Sequence, residues 1–334
     1  MREYGGCLNI EIGRCGRDFY HRYNENRVDV DSGRSGLQYI IENYDYKRIW
    51  LPVYNCPLVE KRIHEVSTIE IVWYNIDPTF KPMVNIEDLQ EGDVFLWINY
   101  YGIMKKSLID EMAKLQEKSA AKIIIDNIPA YFSEPRMDVL NLYSCRKFIG
   151  VPDGGHVIGN NIKKMKLPTY ATAQNYTYLL KALETGSNSA YVDYQKSEKR
   201  FSESNTAYGM PRLTKRVLES IDYDAIINKR KENFLVLHEI LNNSNRMDID
   251  ISTDTPSVYP YLTTNKHLRD RLIANKIYIS RFWKHVLTNE LANEFEKDLA
   301  EYLIPLPIDQ RYEKRDMEYI ANMVIEFERG ESVE

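Results

Sequence analysis

Two residues offer chemistry most directly: Lys147 and Asp126. Lys147 closes the segment Ser144-Cys145-Arg146-Lys147, which follows the apolar run 139–143 and precedes a Gly/Pro/Asp turn ending in Gly154-Gly155. A lysine held at a strand end and buried there has a lowered pKa, and its neutral amine adds to an aldehyde to form an imine. Asp126 lies 21 positions earlier, at the end of Lys122-Ile-Ile-Ile-Asp126. Open α/β sheets place ligands at such strand ends, where a carboxylate would accept the proton of a ring nitrogen. Each residue also has a plain reading: a surface loop lysine, and a turn or capping aspartate before Asn127.

Three further stretches belong with this pair. Ser32-Gly33-Arg34-Ser35-Gly36-Leu37 supplies small residues, hydroxyls and a cation at a predicted helix start, where free N–H groups and the helix dipole favour phosphate. An ordinary capped helix has the same composition. Pro52-Val-Tyr54-Asn-Cys56-Pro57 and Asn99-Tyr100-Tyr101-Gly102 each follow a predicted strand and should face the same cleft, unless they are packed loops. Taken in order, the set suits a cofactor with a phosphate, a ring nitrogen and an aldehyde, and pyridoxal 5'-phosphate (PLP) is that cofactor. Ser-x-x-Lys also serves serine acyl enzymes, but their companion Ser-Asp-Asn and Lys-Thr-Gly motifs are absent from the sequence.

The elements that must position these residues alternate. Strands are predicted at 48–53, 69–74, 94–98, 122–126, 139–143 and 156–158, and helices at 37–43, 58–66 and 108–118. Strand–helix alternation of this kind predicts an α/β fold with a mostly parallel sheet buried on both faces. The 139–143 and 156–158 strands are joined by a turn-rich loop without a helix, so mixed strand directions are expected there. Residues 1–31 read as irregular, 173–201 and 221–241 as helical, and 242–254 as a loop or short edge strand. A smaller α+β unit follows, with strands at 257–262, 277–282 and 304–308 and helices at 266–275, 289–302 and 315–327. The division expected is 1–200, a large domain with an N-terminal arm, and 201–334, a smaller C-terminal domain.

The 334 residues are 43% hydrophobic and 28% charged, as expected of a folded globular protein, and the net charge of −5 is spread along the chain. There is no electrostatic footprint for nucleic acid or an anionic membrane. Four cysteines (Cys7, Cys15, Cys56, Cys145) form no CxxC pair, which points to a reducing, cytoplasmic setting with neither a zinc site nor a disulfide framework. No apolar run approaches the ~20 residues of a membrane span, and Met1-Arg-Glu-Tyr-Gly-Gly lacks a signal-peptide core.

On these motifs the sequence resembles the fold-type I PLP-dependent enzymes, and within them the DegT/StrS nucleotide-sugar aminotransferases. Residues 32–37 stand where that family has Ser-Gly-Thr-x-Ala-Leu, 52–56 match its ring-covering loop, Asp126 its pyridine-nitrogen aspartate, and Ser144-x-x-Lys147 its phosphate-binding serine and Schiff-base lysine. Glu203-Ser-Asn205 is similar to the segment whose asparagine reaches a partner's cofactor phosphate, and 277–283 to its substrate-side stretch.

The resemblance implies a mostly parallel seven-stranded mixed sheet flanked by helices, plus the smaller α+β domain. It also implies a homodimer with shared active sites, and transfer of an amino group, from glutamate, to a keto-sugar on a nucleotide carrier for surface polysaccharide synthesis. Lys147 would be catalytic. Asp126, Ser144, Arg34, Ser35, Gly36, Tyr54, Cys56, Asn99 and Asn205 would hold the cofactor, and Arg281 and Tyr100 would face the substrate. Arg34 replaces the usual Thr, Pro129 a usual Gln, and Arg281 or Phe282 falls near a usual His. A PLP-dependent lyase or desulfurase, and a non-enzymatic binder of PLP or nucleotide-sugar, are the competing readings.

Overall fold

Burial on both faces decides which apolar runs become central strands. The computed structural model describes residues 10–13, 16–251 and 255–330. Five strands run parallel in its centre: β2 (Arg48–Pro52), β3 (Glu70–Ile76), β5 (Asp93–Ile98), β6 (Lys122–Asp126) and β7 (Leu140–Ser144). Every residue of β5 is buried, as are Ile123, Ile124 and Ile125 of β6. The one charge in β5, Asp93, is answered by Arg48 at 2.6 Å and by Trp50 Nε1 at 2.9 Å. Between these strands run α1 (Gly33–Asn43), α2 (Pro57–Val66) and α3 (Lys106–Lys118). Ser32 caps α1, its hydroxyl accepting from the Ser35 N–H at 3.2 Å, and Pro57 opens α2 at a position where its missing N–H costs nothing.

The sheet has eight strands, not seven, in the order β1-β8-β7-β6-β5-β2-β3-β4. The additions over the sequence reading are β1 (Arg27–Val30), inside the segment read as irregular, and a two-residue β4 (Pro82–Met83). β1 was hidden because its alternate residues are charged. Arg27 lies 2.5 Å from Asp18 and 2.8 Å from Asp29, so the charges are paired on one face while Val28 and Val30 are buried on the other. As expected, β8 (Gly155–Ile158) runs antiparallel to β7.

Beyond the sheet, α4 (Thr177–Thr185) and α5 (Ser187–Glu203) form a helical hairpin, followed by α6 (Arg212–Leu218) and the long α7 (Tyr223–Leu241). The C-terminal part pairs β9 (Tyr259–Leu262) with β10 (Leu303–Leu306), with α8 (Leu268–Ala274), α9 (Glu294–Tyr302) and α10 (Lys314–Glu328) around them. The predicted 277–282 strand is absent. β9 pairs only with β10, and the run instead leads Phe282 and Trp283 against Tyr101 and Tyr54. The helix predicted from 289 begins at Glu294, because Asn293 and Glu296 form a capping box there. Glu296 also accepts from Asn75 Nδ2 at 2.6 Å and the Ile76 N–H at 3.1 Å, tying α9 to β3.

The chain stays on the sheet past residue 200. Val30 bridges Gly209, and Met210, Leu218 and Tyr223 share a core cluster with Tyr20, Tyr131 and Phe148. We therefore propose that the second unit starts at α7 rather than near residue 200. Cys7 and Cys15 lie outside the described residues, as do the rest of residues 1–9 and Arg14. Among the described residues no helix is long and apolar enough to cross a membrane.

Gly155 faces Ser144 across the β7–β8 pair, and a Cβ on it would lie 2.5 Å from the Tyr143 carbonyl oxygen, a backbone atom fixed by the ladder. Gly155→Ala should lower the unfolding free energy by about 1–3 kcal/mol, measured by urea denaturation. An unchanged midpoint would show that this register is not tightly held.

Candidate active site

Strand pairing builds the site. In the parallel β6–β7 ladder Asp126 stands opposite Leu142, so both strands leave the sheet at the same edge. Two residues later β7 ends at Ser144, and a single 3-10 turn, Cys145–Lys147, carries the lysine back over that edge. The N-terminus of α1 can sit against the same edge because residue 33 is glycine. A Cβ there would lie 2.2 Å from Ile128 Cδ1.

Between these ends lies a cavity of roughly 190 Å3. Its wall includes Arg34, Cys56, Asp126, Ser144 and Lys147, five of the residues singled out in the sequence. Ser32, Gly33, Ile128, Pro129, Arg146, Glu198 and Trp283 join them. Burial lowers the Lys147 amine below its usual range, opposed by Cys56 and Asp126 and aided by Arg146. Burial raises the Asp126 carboxyl to about 6, against the Ile128 N–H, which donates to its Oδ1 at 2.8 Å, and against Lys147. Near neutral pH the cavity thus holds an amine eased toward its neutral form and a carboxyl close to its midpoint.

Seven predicted residues are placed away from this wall. The Ser35 hydroxyl donates to Asp31 Oδ1 at 2.6 Å, and Gly36 faces Leu142 and Val157 under the sheet. Tyr54 is fully buried, its hydroxyl 2.9 Å from that of Tyr101, and touches the cavity only through Trp283, whose ring centroid is 4.5 Å away. Asn99 donates to Asn127 at 2.9 Å, and the Tyr100 hydroxyl donates to the Tyr54 carbonyl at 2.8 Å. Asn205 is exposed, and its carbonyl accepts from Gln38 at 2.9 Å. Arg281 pairs with Glu301 at 2.7 Å in the C-terminal part. The common cause is local satisfaction: hydroxyls and amides next to a strand end found protein partners before they could reach the cavity.

Arg146, Pro129, Glu198 and Trp283 are among the wall residues not assigned from sequence. Arg146 sits inside the Ser-x-x-Lys motif and was legible there. Pro129 was noted only as a departure; it presents no side-chain donor. Glu198, from α5, carried no local signal, whereas Trp283 closes the 277–283 stretch that resembles the family's substrate-side segment. Trp283 adopts φ 53°, a left-handed conformation rare for so large a side chain. Cys145 is fully buried, with its thiol pushed up by burial and its Sγ 3.8 Å from both Tyr131 Oη and His156 Nε2. It is a core residue. A second, open cleft of roughly 680 Å3 shares Arg146 and Lys147 with the cavity and adds Tyr176, Tyr178, Tyr194, Arg230 and Arg311.

No family model and no curated protein matches the sequence. The fold does match solved structures. S. venezuelae DesV, in complex with a ketimine intermediate, superposes with a TM-score of 0.63 at 15% identity, over 96% of this chain and 87% of that one. Helicobacter pylori PseC, an aminotransferase involved in pseudoaminic acid biosynthesis, gives 0.61 at 14% identity over 91% and 87%. A DegT DnrJ EryC1 StrS aminotransferase from Brucella abortus gives 0.58 at 14% identity over 90% and 86%. The chain has the fold of these proteins, the fold-type I architecture.

The Asp126 carboxyl has a measurable consequence in the ligand-free protein. Its folded pKa of about 6 lies above the ordinary 3.8, so the folded state holds this proton at pH values where the unfolded chain has lost it. Its contribution to stability is complete below about pH 4 and is lost as pH rises through about 6. Asp126→Asn should therefore gain stability relative to wild type between pH 4 and 7, read as the difference in thermal midpoints. A difference that shrinks over this range would show that the carboxyl is not desolvated.

Proposed function

We propose that this chain is a PLP-dependent aminotransferase that moves an amino group, from glutamate, to a keto-sugar on a nucleotide carrier. The observation carrying the proposal is the meeting of Lys147 and Asp126 in one small cavity at the α1 N-terminus, in a fold shared with sugar aminotransferases. The residues present fit the cofactor. Lys147 is a desolvated amine, and Asp126 is a desolvated carboxyl at the end of β6. Arg34 Nη1 is buried without a hydrogen-bond partner among the described residues, a donor suited to a phosphate.

When bound, PLP supplies an aldehyde for amines and a pyridine ring that acts as an electron sink. The protein's own side chains do the rest. Asp126 would accept the proton of the ring nitrogen, and a cation held there would favour the charged form of its carboxyl. Lys147 Nζ would hold the cofactor through its aldehyde and, as a desolvated amine, would take and return a proton during transfer. Ser144, Arg34 and the first N–H groups of α1 would hold the phosphate. Trp283, Leu96 and Ile128 keep the cavity apolar and exclude water. Substrate would reach Lys147 through the open cleft, where tyrosines flank the path and Arg311 is held by Asp309 at 2.7 Å. We place the active unit in a homodimer, supported by the exposed apolar side chains of the α4–α5 hairpin, among them Leu180, Leu183, Tyr191 and Val192. Sedimentation showing a PLP-loaded monomer would contradict that placement.

Cys56 on the cavity wall favours a second reading, a PLP-dependent desulfurase with this thiol as nucleophile. Sulfide release from cysteine that is abolished by Cys56→Ser would select it.

Purified protein incubated with PLP should develop a visible band that borohydride bleaches, with the cofactor then fixed covalently on Lys147. Lys147→Ala should take no label and should lose the conversion of bound PLP to pyridoxamine phosphate by glutamate, roughly 10^2- to 10^4-fold in rate. A protein that takes up no PLP sinks the cofactor reading. One that binds PLP but never forms pyridoxamine phosphate with any amino donor sinks the aminotransferase reading.

A further inference from the structure

The phosphate end of the cavity differs from what the sequence motif led one to expect. Ser35 and Gly36 face elsewhere, and the cations on the described wall besides Lys147 are Arg34 and Arg146. Both guanidinium groups lie over the ring of the buried Phe201, with Cζ to centroid distances of 5.7 and 4.6 Å, and Arg200 joins them at 4.6 Å. Phe201 belongs to α5, so the cluster ties the α4–α5 hairpin to the cavity.

Of the two carboxylates in the wall, Asp126 acts on Lys147 and Glu198 answers these guanidinium groups. Glu198, one turn before Phe201 on α5, forms an ion pair with Arg146; the two side chains are 35% and 16% exposed. Arg34 gains nothing from it in hydrogen bonds, since its Nη1 is buried without a partner among the described residues. Burial, and next the neighbouring Arg146, lower the Arg34 guanidinium to about 10. Glu198 is tethered to Arg146, and Asp31 is the least of the influences on Arg34, so this end of the cavity keeps an excess of positive charge. A dianion with three oxygens would satisfy both guanidinium groups and the free N–H groups at the start of α1.

We propose that Arg34 and Arg146 form the subsite for a phosphate-class anion, and that Glu198 is its tethered competitor. The incoming anion takes Arg146 from Glu198 and loosens the last turns of α5. This rests on the reading of the cavity as a cofactor site, where the anion is the phosphate of PLP; free inorganic phosphate shares the same chemistry. Loading of the site and ordering of the α4–α5 hairpin are thereby coupled with opposite sign, since both draw on the same guanidinium.

The test titrates PLP and, separately, inorganic phosphate into the full-length wild-type protein, Glu198→Gln, Arg146→Gln and the control Glu184→Gln, which removes an exposed charge from the same hairpin. Binding is followed by tryptophan fluorescence, to which Trp283 in the wall contributes, and by PLP absorbance. Glu198→Gln should bind both anions on the order of tenfold tighter, Arg146→Gln weaker by a similar factor, and Glu184→Gln as wild type. In wild type alone, saturation with either anion should speed amide hydrogen exchange over residues 194–203. Equal or weaker binding by Glu198→Gln overturns the competitor assignment, and so does unchanged exchange in wild type on saturation with PLP. Failure of the two readings is separable. If Lys147 takes PLP with equal affinity in wild type and Glu198→Gln, the cofactor reading stands and the competitor fails. If Glu198→Gln tightens phosphate binding but no variant takes up PLP, the subsite stands and the cofactor reading fails.

Discussion

The parallel ladder between β6 and β7 is the constraint on which the site depends. Parallel strands must share a direction, so their C-terminal ends lie on one edge, and the register that pairs Asp126 with Leu142 fixes how far each end projects. The carboxyl of one strand and the lysine following the next are brought to the same cavity without any contact specific to either. A slip of one residue would turn every β7 side chain to the opposite face and take Ser144 and the turn carrying Lys147 with it. The tight passage at Gly155 reinforces this register from the antiparallel side.

That geometry gathers charges in a place water reaches poorly. Burial works against the charged forms of both Lys147 and Asp126, and it does the same to Arg34. The fold tolerates this because each group has something to lean on: the Ile128 N–H for Asp126, the opposite charge of Asp126 for Lys147, and the face of Phe201 for Arg34. None of these supports is as good as a ligand of matching charge and shape. A ligand-free protein with poorly satisfied buried cations is pre-organised for an anion, since the cost of assembling like charges has already been met by folding.

The long-range contributors are as telling as the strand ends. Glu198 comes from a helical hairpin after the sheet and Trp283 from an irregular run in the C-terminal part, and both reach the cavity wall from far along the chain. Glu296, joining α9 to β3, and the Arg230 guanidinium, which donates to the Phe148 carbonyl, hold that C-terminal part against the sheet edge. The cavity is thus a property of both units together.

By itself the sequence determined the strand–helix alternation, the central parallel strands, the antiparallel turn at β7–β8, and the positions of Asp126, Ser144 and Lys147. These are local quantities: apolar runs, turn residues and fixed spacings along one chain, and they survive whatever the rest of the molecule does. β1 escaped because its charges are paired across space with Asp18 and read locally as a polar loop. The 277–282 run was taken for a strand because periodicity cannot reveal that the run leads Phe282 and Trp283 against Tyr101 and Tyr54 instead of pairing with β9 or β10. The tertiary structure alone decided which polar groups face the cavity. Ser35, Tyr54, Asn99, Tyr100 and Arg281 have the right chemistry and near-right positions, but each donates to or shares a hydrogen bond with a protein partner, whereas Arg146, Glu198 and Trp283 are brought to the wall by packing. A hydrogen-bonding group goes where its partner is, and partners distant in sequence become neighbours only when the chain has folded.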